Sequence, residues 1–134
     1  MNKLLNFYYL IKQIAHEQLS VALADLFVKV YLLAAVLLNI LIWIGAKYIA
    51  MVVGANQIAL HYSVGFGIDY YGDTVKIYII PLLGLLIIFL NFVLYVLVSK
   101  YRDKNFIAHI LFSSSIVANV ILLISIFSVY IINF

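Results

Sequence analysis

The 134-residue sequence has no cysteine, a single proline, and charge on only 10% of its residues. Without cysteine there is no disulfide, no thiolate metal ligand and no cysteine nucleophile, and no redox compartment can be inferred. The shortage of charge is more telling. Soluble domains carry about 25% charged and about 45–50% apolar residues. Here 68% of the residues are hydrophobic, and the mean hydropathy is +1.21. Water cannot be the solvent for that much apolar surface, so the bilayer is the first expected partner. The formal charge of +3 is small and scattered. Nucleic acid is therefore not an expected partner, and the basic residues read as topology signals.

The apolar residues fall into three long runs. Residues 30–53, 77–98 and 107–132 each suit a transmembrane helix, because about 20 apolar residues at 1.5 Å each cross about 30 Å of hydrocarbon. Lys47 lies near the far end of the first run, where it can snorkel, with Trp43 and Tyr48 as interfacial anchors. Ala46, Ala50 and Gly54 form a small-xxx-small series that suits close helix approach. Pro81 falls in the first turns of the second run, where a missing amide hydrogen costs least. His109 opens the third run and precedes Ser113, Ser114 and Ser115. No acid is placed to complete a hydrolase triad with them.

Ahead of these runs, residues 2–28 predict an amphipathic helix lying in the membrane interface. Leu4, Phe7, Tyr8, Ile11, Ile14 and Ala15 recur at helical spacing, while Lys3, Lys12, Gln13, His16, Glu17 and Gln18 take other faces. A partner-docking helix would show the same pattern. Asn6, Lys12 and Gln13 interrupt the first apolar stretch, which argues against a cleavable signal peptide. Asp25 and Lys29 stand in the favourable order for a helical ion pair. The expected fold is thus all-α and single-domain, with one interfacial helix and three spans. Lys3, Lys12 and Lys29 precede the first span and Lys100, Arg102 and Lys104 fill the second loop, which predicts a cytoplasmic N-terminus and an outward C-terminus.

Each span carries one asparagine. Counted from the cytoplasmic ends, Asn39, Asn91 and Asn119 lie about 14, 12 and 18 Å deep. An unpaired amide in hydrocarbon is costly, so these side chains are expected to bond between helices. The sharper alternative is an asparagine-lined path through an oligomeric channel or transporter component.

The remaining polar interval, residues 57–76, is the expected ligand- or partner-binding loop. Gly65-Phe66-Gly67 can reverse the chain into a short hairpin. His61, Asp69 and Asp73 are potential metal ligands, but they lack an HxxxH or HxH core, and their default role is to shape the loop. No metal, cofactor or catalytic set is expected, and the chain does not read as an enzyme.

The stretch from Leu60 to Gly84, LHYSVGFGIDYYGDTVKIYIIPLLG, resembles the outward motif of SdpI-type bacterial membrane proteins. The matching positions are His61, Gly67, Asp69, Gly72, Lys76 and Pro81; Ala59 stands where that pattern has proline. The chain also looks like small three-span proteins of bacteria with reduced genomes. The SdpI resemblance implies protection against a membrane-active toxin and signalling through a sequestered regulator. The expected role is binding, scaffolding or immunity through residues 57–76, in a homo-oligomer or a larger membrane complex.

Overall fold

The computed structural model describes residues 2–54, 57–63 and 65–134. Helix α1 (Asn2–Ala24) is followed by α2 (Leu26–Val53), strands β1 (Gln57–Ser63) and β2 (Gly67–Asp73), a 3-10 turn (Thr74–Tyr78), α3 (Ile79–Val98) and α4 (Lys104–Asn133). Three helical segments among the described residues, 26–53, 74–98 and 104–133, are long and apolar enough to cross a membrane. Only 22% of the most apolar window of each is buried. Most of their Leu, Ile, Val and Phe side chains therefore point outward, a surface that lipid accepts and water does not. The protein is a multi-pass membrane protein.

Several boundaries differ from the sequence expectation. The first helix does not run to residue 28. The chain leaves helical geometry at Asp25 (φ −75°, ψ 120°), and Leu26 opens the first span. The expected Asp25–Lys29 pair is not formed either. Asp25 Oδ2 instead accepts from Lys104 Nζ at 2.8 Å and from Tyr95 OH at 3.1 Å. A carboxylate at the junction of two helices is free to leave its own helix and meet a cation across the bundle. Of the apolar face expected on α1, Phe7 is exposed; the side chains of Leu4, Tyr8, Ile11, Ile14 and Ala15 lie outside the described residues. The second span is prefaced by the 3-10 turn, and α4 begins at Lys104, three residues earlier than expected.

Helices α2, α3 and α4 pack pairwise into a three-helix bundle with two apolar clusters. Ile42, Ala46, Ile49, Ile77 and Ile126 form the cluster at the hairpin end. Val28, Tyr95, Ala108 and Phe112 form the other, and Ala22 ties α1 to it. The close approach of α2 to α4 is set by Gly45, where a Cβ would lie 2.7 Å from Ile126 Cγ2. Gly54, the last member of the expected small-residue series, instead ends α2 with φ 71°.

Between the clusters lies a polar layer. Asn39 Nδ2 donates to the Pro81 carbonyl at 2.9 Å and to Asn119 Oδ1 at 3.1 Å. Asn119 Nδ2 donates to the Ser115 carbonyl of its own helix at 2.9 Å. Both asparagines are buried. Their amides reach each other because residue 84 is glycine: a Cβ there would sit 2.5 Å from both Asn39 Nδ2 and Asn119 Oδ1. Asn91 lies elsewhere and donates to Ser115 Oγ at 2.8 Å and Ser114 Oγ at 3.3 Å. It is seven residues, about two turns, from Gly84 along α3.

Candidate functional site: the hairpin at the bundle end

Strands β1 and β2 form an antiparallel pair with Gln57 opposite Asp73, Ile58 opposite Gly72 and Ala59 opposite Tyr71. An irregularity around His61 then shifts the register. Because side chains alternate along a strand, the hairpin has two distinct faces. Ile58 is fully buried and joins the apolar cluster of the bundle, with Leu60 packed against it. The opposite face carries Gln57, His61, Asp69, Tyr71 and Asp73, all exposed. The hairpin therefore lies on the bundle end as a lid, apolar side down.

Three devices hold it there. Asn133, in the last turn of α4, bonds the β1 backbone like a piece of neighbouring strand. Its Oδ1 accepts from the Ala59 amide at 3.0 Å, and its Nδ2 donates to the Ala59 carbonyl at 2.9 Å. Thr74 Oγ1 donates to the Gly54 carbonyl at 3.0 Å and so ties the exit of the hairpin to the end of α2. Trp43 of α2 stacks on Tyr78 with ring centroids 5.8 Å apart.

The residues singled out in the sequence have definite places in this lid. His61 Nδ1 and Asp69 Oδ1 are 2.5 Å apart across the strands, with side chains 65% and 40% exposed. At that exposure the pair contributes at most about 1 kcal/mol, so its main effect is to orient the imidazole. With Nδ1–H donated to Asp69, Nε2 is the nitrogen left for a partner. Gly67 has φ 76°, a backbone conformation glycine adopts without strain, and it brings the chain out of the turn. Gly72 lies under Leu60 and Lys76, where a Cβ would come within 2.8 Å and 3.1 Å of their side chains. Lys76 Nζ donates to Tyr70 OH at 3.0 Å. Five of the six motif positions thus interlock to build the hairpin and its root. Pro81 lies below, its carbonyl bonded to Asn39.

Asp73 does not join His61 and Asp69. It faces Gln57 at the base of the strands, about 13 Å along β2 from Asp69. Among the described residues no three histidine or acidic side chains converge as a metal site would require. His109 Nδ1 is 3.2 Å from Tyr31 OH, and its ring stacks on Phe27. Ser114 and Ser115 donate back to the Leu111 carbonyl. Neither arrangement forms a serine–histidine pair.

Sequence reasoning did not single out Asn133, the clamp on β1, or Tyr95, the second partner of Asp25. Asn133 lies 74 positions from Ala59, and nothing local distinguishes it from a polar residue at a helix end. At the α1 end, the Lys104 hydrogen bond holds the Asp25 carboxyl below its ordinary value of 3.8; Tyr95 adds a second donor against the opposing effect of burial. Comparison with known protein families, curated proteins and solved structures returns no match for this chain.

Proposed function

We propose that this protein is a membrane-anchored recognition module whose hairpin, residues 57–73, meets a partner on the outer side of the membrane. The observation that carries the reading is the asymmetry of the lid. Its β1 edge is bonded by Asn133 and its apolar side is buried through Ile58, while its other side displays an oriented His61–Asp69 pair and exposed Tyr71. Exposed aromatics beside fixed polar groups on a rigid support are what a binding surface needs. Phe66, 92% exposed at the tip, extends that surface.

Orientation follows from charge. The Asp25–Lys104 bond brings the α1–α2 junction and the α3–α4 turn to one end of the bundle. Lys29, Lys100, Arg102 and Lys104 gather there, against Lys47 and Lys76 at the hairpin end. The positive-inside rule puts the basic end in the cytoplasm. The likeness to SdpI-type proteins in His61, Gly67, Asp69, Gly72, Lys76 and Pro81 gives this module an immunity-like role against a membrane-active peptide. A channel role draws less support. The amides of Asn39 and Asn119 are spent on each other inside one copy, which fits helix packing better than a lined path.

Site-specific photocross-linking from position 66 in living cells tests the proposal, with lipid-facing Ile44 as the control. A discrete protein or peptide adduct from position 66 and not from 44 is expected. Adducts to lipid alone from both positions would overturn it.

A further inference from the structure

The two edges of the hairpin are not equivalent. Ala59 turns its N–H and carbonyl away from β2, since Asn133 binds both. In an antiparallel ladder, residues directly opposite share that state, so the Ala59–Tyr71 pair is the non-hydrogen-bonded kind. Tyr71 therefore also points its N–H and carbonyl away from β1. By the two-residue period Asp73 points its N–H the same way, while its carbonyl opens the 3-10 turn; at Asp69 the register irregularity interrupts the period. Outside the ladder and the helices, no backbone–backbone hydrogen bond among the described residues reaches Tyr71. The edge of β1 is plugged by a side chain; the edge of β2 is open at Tyr71.

Natural sheets protect such edges with lysine, proline or a covering element. Gly67–Asp73 has neither lysine nor proline, and it ends on the exposed side of the lid. We propose that β2 accepts an extended, cationic peptide segment as a third strand, paired through the outward N–H and carbonyl of Tyr71 and the N–H of Asp73. This rests on the hairpin being the recognition element, and it names the partner's chemistry.

Charge decides between candidate strands. Residues 57–73 contain two aspartates and no lysine or arginine, and the nearest cation, Lys76, is held by Tyr70 OH rather than by either aspartate. Both aspartates lie on the exposed face, four residues apart, so every second side chain of an added strand runs alongside them. Basic residues at those positions face opposite charge. A second copy pairing β2 to β2 would instead gather four carboxylates on one narrow face in any register, which like-charge repulsion disfavours. The alternate side chains of the added strand turn toward Ile68 and Tyr70, where the Lys76 ammonium on Tyr70 disfavours a second cation and apolar residues fit. The recognised segment therefore alternates basic and apolar residues in extended form.

The test uses the full chain in zwitterionic lipid nanodiscs and capped heptapeptides that alternate lysine with valine. Controls are the glutamate–valine counterpart, the lysine peptide N-methylated on alternate amides, and protein-free nanodiscs. The lysine–valine peptide is expected to bind saturably and to slow amide exchange at Tyr71. Glutamate for lysine, or N-methylation, is expected to weaken binding about tenfold or more, since each opposite-charge or hydrogen-bonded cross-strand contact contributes a fraction of the tenfold step. Tyr71→Pro removes an outward N–H without touching the ladder to β1 and is expected to abolish binding, whereas Tyr71→Ala retains most of it.

Equal binding of the N-methylated peptide, unchanged binding by Tyr71→Pro, or no saturable binding of any peptide would overturn the edge assignment. Protection of Tyr71 that grows with protein concentration in the absence of peptide would assign the edge to a second copy. A cross-linked partner at position 66 alongside unaltered Tyr71→Pro binding would refute this inference while leaving the recognition role standing. Lipid-only cross-links would remove both.

Discussion

Replacing Gly84 with alanine pits two effects of opposite sign against each other. In a helix interior alanine is favoured over glycine by about 1 kcal/mol, so propensity alone makes Gly84→Ala stabilising. The added Cβ, however, lies 2.5 Å from Asn39 Nδ2, 2.5 Å from Asn119 Oδ1 and 3.2 Å from Leu122 Cδ1. That is about 1 Å inside ordinary contact at the first two atoms. Relief requires the amides to separate. The Asn39–Asn119 bond, and with it the bond to the Pro81 carbonyl, would then be lost. Interhelical hydrogen bonds in membranes contribute about 0.6–2 kcal/mol each, and overpacking costs about 1–3 kcal/mol. Set against the propensity gain, the net loss is roughly 1–6 kcal/mol. Reversible unfolding in mixed detergent micelles measures it. Gly65→Ala, with nothing within 4 Å of the new Cβ, is the control and should be near neutral. Asn39→Ala in the Gly84→Ala background should cost less than the sum of the two single changes, because the truncated side chain relieves one clash. A neutral or stabilising Gly84→Ala, or strict additivity in the double variant, would refute the polar layer as described.

Asn133→Asp exchanges the amide that donates to the Ala59 carbonyl for an oxygen that repels it. Amide exchange at Ala59 should rise about 5- to 30-fold while the bundle keeps most of its stability, since the contact contributes about 1–2 kcal/mol. Asp25 gives a pH dependence of defined sign. Its folded carboxyl sits below 3.8, so the stabilisation is complete above about pH 5 and is lost as pH falls through the lowered folded value. Asp25→Asn should flatten that acid limb of an unfolding-versus-pH series, and the amplitude should be about 1 kcal/mol or less, given partial exposure of the pair. Asn91→Leu should cost less than Asn119→Leu in the same unfolding assay. Asn91 is half-buried and bonds serine hydroxyls, whereas Asn119 is fully buried and joins α4 to α2.

The parts of the fold that depend on composition and period were readable from the chain. Apolar runs of about 20 residues have one low-energy arrangement in lipid, and Gly65-Phe66-Gly67 marks the reversal between two strands. Bonds between distant positions were not readable. The depth count placed Asn39, Asn91 and Asn119 at similar levels, but a 1.5 Å rise says nothing of which way a side chain faces. Asn91 points to Ser114 and Ser115 instead. Asp25 had an adequate partner four residues away and took Lys104, 79 positions on, because the helix breaks between the spans. The same holds for Asn133. Its role exists only because the end of α4 and the start of β1 meet in space.

The central claim is that the hairpin stands on the outer side of a multi-pass membrane protein. The absence of cysteine makes it directly measurable by labelling single introduced thiols on intact cells. A membrane-impermeant maleimide should modify Phe66→Cys at the exposed hairpin tip without permeabilisation. It should reach Arg102→Cys, in the α3–α4 turn, only after the cells are opened. The reverse pattern, with Arg102→Cys labelled from outside and Phe66→Cys protected, would contradict the account.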